Sequence, residues 1–353
     1  MRKTLAVLGT VLTTAAQAHD GSHKLAGEHP VEEKSLSESV WDLMIPPADA
    51  AATITVEGAY RYIHANGYPI KAPGQFPNSG NPNRISKKNY QLRVPVNPKK
   101  TGRATPTGPA VFGIAVNGVV MDPGTAEFWQ NDRRSGWNYE AMGGACRLGL
   151  DKFNAHVQPD GTYHYHGIPT GVLASEGGKS VPALLGYAAD GFPIYGPYGY
   201  SDPKRPSAMT KLKSSYVIRS GTRPDGPGGS YDGKFTQDWT YAEGRGDLDH
   251  CNGRFAVTPE YPKGTYQYVL TDTFPFIPRC WMGTPDRSFM RLKGRGGPGG
   301  RPGPQAGGPP PQGGGLFGQR PGAGQGPGFG PGQGSGRGPR AGGPGGHSPC
   351  SGT

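Results

Sequence analysis

The sequence predicts a mainly β fold, a single sandwich-like or open-barrel domain of short strands with long ordered loops. Two observations carry this. Short runs in which apolar and polar residues alternate are punctuated throughout by Gly, Pro and Asn turn signals. The 61 glycines and 38 prolines among 353 residues leave little uninterrupted sequence for long helices.

Taken in order, residues 1–18 read MRKTLAVLGTVLTTAAQA, two basic residues, an apolar run and a small-x-small end. That is a secretory signal with cleavage expected after Ala18, and it places the mature protein in a periplasm or outside the cell. No later run has the roughly 18 apolar residues of a membrane span. Residues 19–34 form a flexible polar segment, and Ser35 to Leu43 is a short helix candidate with Ser35 and Glu38 as its capping box. The folded domain is expected over 35–293.

Within it, TITVEGAYRYIHANGYPI (53–70) and YQLRVPV (90–96) alternate as strands. VFGIAVNGVVMD (111–122) reads as a hairpin about Asn117-Gly118, and LLGYAADGFPIYGPYGY (184–200) as another about Asp190-Gly191. Asp190 is read as a turn residue, and Tyr187, Tyr195, Tyr198 and Tyr200 as core or groove lining. SYVIRS (215–220) and GTYQYVLTD (264–272) complete the strands, and Ala126–Gln130 and Asn138–Met142 are expected as single helical turns. From 294 to 353 the chain is a Gly/Pro-rich basic tail without an acidic residue, a composition that cannot bury enough apolar surface to order itself.

The net charge of +11 owes much to that tail. An exported chain without a base-stacking motif is not expected to bind nucleic acid, whereas contact with an anionic cell surface suits the tail. Four cysteines, Cys146, Cys251, Cys280 and Cys350, allow three full pairings. The expectation is one bridge within the first three, with Cys350 unpaired or intermolecular. No CxxC spacing suggests a thiolate metal cluster.

Three of the nine histidines fall in AHVQPDGTYHYHG (155–167). Pro159-Asp160-Gly161 specifies a three-residue hairpin loop ending in a glycine of positive φ. That loop sets a register: Gln158 opposes Thr162, Val157 opposes Tyr163, His156 opposes His164, and Asn154 opposes His166. Opposed residues and residues two apart share a face, so His156, His164 and His166 converge with Asn154, while Tyr163, Tyr165, Val157 and Ala155 form the core face. A two-residue Asp160-Gly161 loop would instead split the cluster. Three imidazoles within about 5–7 Å at Cβ reach one ion with bonds of about 2 Å and leave positions open for water or substrate. The other readings of the trio are metal-free acid-base chemistry and plain hydrogen bonding along the sheet.

A second polar concentration, Gly246 to Arg254, offers Asp247, Asp249 and His250, either as partners orienting the metal-bound histidines or as a loop ordered by its own turns. Cleavage after Ala18 exposes His19 as an amino-terminal chelator, with His23 following.

Around these residues the chain resembles the YHYH domain family. The resemblance runs through Ala65–Asn83, Asn117–Trp129, Leu148–Gly171, with Tyr163-His164-Tyr165-His166 at its centre, Leu184–Gly199 and Asp247–Arg279. It implies an exported protein and supplies no activity, cofactor or substrate. Two function classes follow from the residues. One is a metal-dependent hydrolase or oxidoreductase acting on a small molecule or glycan, with copper or zinc on the three histidines. The other is a non-catalytic module for copper or zinc handling, or for surface attachment, in which the histidines are structural or storage ligands.

Overall fold

A computed structural model describes residues 52–69, 73–290, Leu292 and Cys350. The helix expected at Ser35 to Leu43, His19 and His23 lie outside the described residues.

Three strands open the domain: β1 (Ala52–Glu57), β2 (Tyr60–Ala65) and β3 (Tyr90–Pro95). The short β4 (Thr105–Pro106) follows, then β5 (Gly113–Ala115), β6 (Val120–Met121), β7 (Ala155–Val157) and β8 (Tyr163–Tyr165). The second half supplies β9 (Leu184–Ala188), β10 (Pro193–Tyr195), β11 (Tyr198–Tyr200), β12 (Met209–Lys211), β13 (Tyr216–Ile218) and β14 (Trp239–Tyr241). It ends with β15 (Gly253–Ala256), β16 (Thr265–Val269) and β17 (Cys280–Trp281). Among the described residues the α-helices are short, α1 (Thr170–Ser175) and α2 (Arg287–Met290).

Strands β1, β2 and β3 form an antiparallel sheet. An eight-stranded sheet runs β15-β16-β10-β9-β5-β6-β8-β7 and does not close on itself. The two share one core. Ile63, Leu92 and Val94 of the smaller sheet cluster with Ile114, Leu185, Ile194 and Tyr163 of the larger, and the Arg61 guanidinium lies 3.9 Å over the Tyr187 ring. The architecture is therefore the sandwich-like alternative, with β11-β12, β13-β14 and β4-β17 as separate two-stranded pieces.

Both dipeptide hairpins form as expected: β5 pairs with β6 around Gly118 (φ 82°), and β9 with β10 around Gly191 (φ 92°). The expected turn at Ala126–Gln130 is displaced to a 3-10 turn at Trp129–Asn131. Asn138–Met142 is not helical. Asn138 and Tyr139 make isolated β-bridges to Phe128 and Phe235, because Asn138 has stronger distant partners than a local turn offers: its amide donates to Glu127 O at 2.7 Å and its backbone N to Gln237 Oε1 at 2.9 Å.

Two disulfides form, Cys251–Cys280 and Cys146–Cys350. The first lies within the expected trio. The second corrects the expectation for Cys350, which is neither free nor intermolecular. It is buried in a satellite cluster with Trp137, Tyr139, Cys146, Leu148 and Phe235, an apolar setting that suits a half-cystine.

Candidate metal centre

Strands β7 and β8 form a hairpin at one edge of the eight-stranded sheet. The loop closes as the Pro-Asp-Gly sequence requires: Gly161 takes φ 83°, its N–H donates to Gln158 O at 2.8 Å, and Thr162 N–H donates to Asp160 Oδ1 at 2.9 Å. The resulting register pairs His156 with His164 and Val157 with Tyr163. The backbone bonds Gln158 N to Thr162 O at 2.9 Å and His166 N to Asn154 O at 2.8 Å extend it in both directions. The outer edge of β7 is covered, since Asn81 and Asn83 both donate side-chain amides to Val157 O, at 2.9 and 2.8 Å.

One face of the hairpin turns into the core. Ala155, Val157, Tyr163 and Tyr165 are all buried there. The Tyr163 hydroxyl donates to Asp151 Oδ2 at 2.6 Å, and that carboxylate also accepts from the backbone N–H groups of Gly74, Phe153 and Ala155. Burial pushes the Tyr163 phenol far above its ordinary range, and the Asp151 charge adds to the shift.

The other face brings three imidazoles together. His166 Nε2 lies 2.9 Å from His164 Nε2 and 3.0 Å from His156 Nε2. The ring centroids are 4.6 to 4.7 Å apart, with the planes steeply inclined to one another. The Nδ1 atoms point outward: His156 Nδ1 meets Leu148 O at 2.8 Å and His164 Nδ1 meets Thr162 O at 3.2 Å. A carbonyl only accepts, so both Nδ1 atoms carry the proton and, in the neutral rings, both Nε2 atoms present a lone pair.

That tautomer decides what the cluster can hold. A ring nitrogen has either one proton or one lone pair, so His166 Nε2 can satisfy only one of its two short contacts by hydrogen bonding. The other is then a short nitrogen–nitrogen contact with no proton between the two atoms. A cation shared by all three nitrogens removes the conflict. Two nitrogens bonded to one ion at about 2.0–2.1 Å stand about 2.9 Å apart at a right angle and about 3.4 Å apart at the tetrahedral angle. The observed spacings match the right-angled end of that range.

His164 and His166 are 1% and 2% exposed, and only His156 reaches partly to solvent. Burial lowers the pKa of His156 and favours its neutral, ligating form; the Leu148 hydrogen bond and the charges of Glu127, Asp122 and Asp151 pull the other way. Those carboxylates also make the surroundings hospitable to a cation.

Asp122 was not legible in the sequence. Strand β6 runs parallel to β8 with Val120 beside His164 and Met121 beside Tyr165, and Asp122 N donates to Tyr165 O at 2.9 Å. Continued by one residue, that register sets Asp122 beside His166 on the histidine face. The side chain is buried, and its carboxylate accepts from Gly124 N at 3.0 Å and from Gln158 Nε2 at 3.4 Å. Arg279 steadies this corner by donating to Pro123 O and pairing with Glu140.

The other candidates have different places. Asn154 takes φ 61° and donates its amide to Ile168 O at 2.8 Å, so it shapes the chain on either side of the hairpin. Asp247 accepts from Lys213 N at 2.7 Å. Asp249 accepts from the N–H groups of Cys251 and Gly253 and from the Tyr266 hydroxyl. His250 is exposed, edge-on to Tyr241. This loop leads into β15, at the other edge of the eight-stranded sheet from β7. His250 also lies within ligand distance of Cys251 and Cys280, but those sulfurs are joined to each other.

Residues 91–283, more than half of the chain, match the family model described as YHYH protein, and the histidine hairpin lies within the matched span. The chain belongs to the YHYH protein family. No curated protein and no solved structure matches it. In this YHYH protein the motif separates into two alternating roles, Tyr163 and Tyr165 entering the core and His164 and His166 meeting His156.

Proposed function

We propose that this YHYH protein binds one transition-metal ion through His156, His164 and His166, with Asp122 as the nearby carboxylate that orients His166 and offsets the ion's charge. The observation that carries the reading is the double contact of His166 Nε2 with two nitrogens whose Nδ1 partners leave them as lone-pair donors. Neutral imidazoles suit copper and zinc, and three such ligands leave positions for water or a substrate oxygen. The partly exposed His156 side is where such a group would enter. There the ion would supply Lewis acidity, or in the case of copper a redox couple, acting on a small molecule or glycan.

A second reading, a non-catalytic site that stores or hands on copper or zinc, is favoured by the near-complete burial of His164 and His166. Both readings place the protein in an oxidising, extracytoplasmic setting, where its leader would send it and where two disulfides persist. Among the described residues no helix is long and apolar enough to cross a membrane. Contact with an anionic surface through the basic tail remains part of the proposal.

Competition titrations with a chromophoric chelator test the ligand set on untagged protein. Wild type is expected to take one Zn²⁺ or Cu²⁺ per chain. His156→Ala, His164→Ala and His166→Ala are each expected to weaken binding by at least tenfold, whereas His250→Ala leaves it unchanged. Equal affinity in all four variants would place the metal elsewhere.

A further inference from the structure

Only one of the two motif tyrosines has its hydroxyl fully employed. Tyr163 donates to Asp151. Tyr165, 3% exposed, accepts from Asn117 Nδ2 at 2.9 Å but donates to no acceptor among the described residues. A phenol keeps its proton at neutral pH. A buried hydroxyl with an unused proton forfeits a hydrogen bond it makes in water.

That hydroxyl belongs to the wall of a cavity of about 320 Å³. The cavity lies between the β5–β6 turn, the turn before β7 and helix α1, and its apolar walls are Pro69, Val116, Phe153 and Val172. Asn117 is also in the wall, where its Nδ2 donates one proton to Tyr165 and its Oδ1 accepts from Val119 N. Ser175 and Glu176, both exposed, mark the rim. The volume is about twice that of an engineered cavity that binds benzene, and it falls at the lower end of the range for small-molecule sites.

We infer that this cavity is a binding site for a small, neutral, largely hydrocarbon molecule of about two fused rings that carries a carbonyl oxygen, which accepts the Tyr165 hydroxyl proton. An anion is disfavoured by Glu176 at the rim and by a wall that holds no cationic side chain among the described residues. A polyol is disfavoured because a wall this apolar cannot replace the hydrogen bonds several hydroxyls make with water. The site stands back to back with the histidines, since Tyr165 points to the face opposite His164 and His166. The inference does not depend on whether those histidines hold a metal.

Isothermal titration of the full mature chain with 1-tetralone, and with tetralin as its hydrocarbon counterpart, tests it. Wild type is expected to prefer 1-tetralone. Tyr165→Phe is expected to weaken 1-tetralone binding about fivefold, the worth of one neutral hydrogen bond of about 1 kcal/mol, while tetralin binding stays within twofold. Ser175→Trp, at an exposed rim position that does not threaten the fold, is expected to block both. The inference is overturned if neither compound binds up to its solubility limit, if Ser175→Trp leaves binding unchanged, or if Tyr165→Phe affects the two compounds equally.

Discussion

His156 and His164 face each other across the β7–β8 ladder with ring centroids 4.6 Å apart, and each donates its Nδ1 proton to a backbone carbonyl. A sheet gains little from placing two imidazole lone pairs toward a third ring in a buried position. Apolar or hydrogen-bonded side chains would fill the same face at lower cost. The arrangement makes physical sense when a cation occupies the point at which the nitrogens converge.

The register behind this site depends on Gly161. Its φ of 83° strains any L side chain, and an added Cβ would stand 2.2 Å from Ser86 Oγ and 2.9 Å from Ser86 Cβ. Gly161→Ala is expected to lower stability by roughly 1–3 kcal/mol in urea unfolding and to weaken metal binding, because a slipped loop moves His156 off His164. Unchanged metal affinity in a destabilised variant would show that the loop does not set the cluster.

Metal retention should depend on pH in one direction. Burial lowers the His156 pKa, so the ring is neutral at pH 7 and protons compete with the metal only in acid. Bound metal, followed by dialysis at stepped pH, is expected to stay constant from pH 8 down to about the ordinary histidine pKa of about 6.5 and to fall below it. Loss that begins on the alkaline side would contradict neutral imidazole ligation.

Asp190 titrates with the opposite consequence from a surface carboxylate. Burial raises its pKa from 3.8 to about 6, against hydrogen bonds from Tyr268, Gly283 and Phe192. The folded protein therefore holds the proton more tightly than the unfolded chain. The stability this contributes is full below pH 3.8 and is lost as pH rises through about 6. Relative to Asp190→Asn, wild-type stability is expected to decline by on the order of 3 kcal/mol across that window. Parallel urea midpoints for the two proteins would refute this.

The Cys146–Cys350 bridge joins residues 204 positions apart in the chain. Trypsin cutting after Arg340 should leave Ala341–Thr353 attached until a reductant is added, as read by mass spectrometry before and after reduction. Cys350→Ser is expected to cost roughly 2–5 kcal/mol of stability. Release of that peptide without reduction would rule the bridge out.

What the sequence made legible was local. Pro159-Asp160-Gly161 carries its turn chemistry within three residues, and from it the opposition of His156 to His164 follows directly. Asn117-Gly118 and Asp190-Gly191 behave the same way. Asp122 escaped because its place beside His166 depends on parallel pairing between β6 and β8, strands far apart in the chain with no turn between them to announce the register. Cys350 escaped because the Gly/Pro composition around it gives no sign that its sulfur is buried beside Trp137 and Leu148. Asn138 read as helical because its distant partners, Glu127 and Gln237, cannot be seen from its neighbours.

The most direct test of the central claim is elemental analysis of the protein prepared without a histidine tag. The account predicts about one copper or zinc per chain in wild type and less than about 0.2 in His164→Ala. Wild type holding less than about 0.2 per chain, with His164→Ala no different, would contradict it.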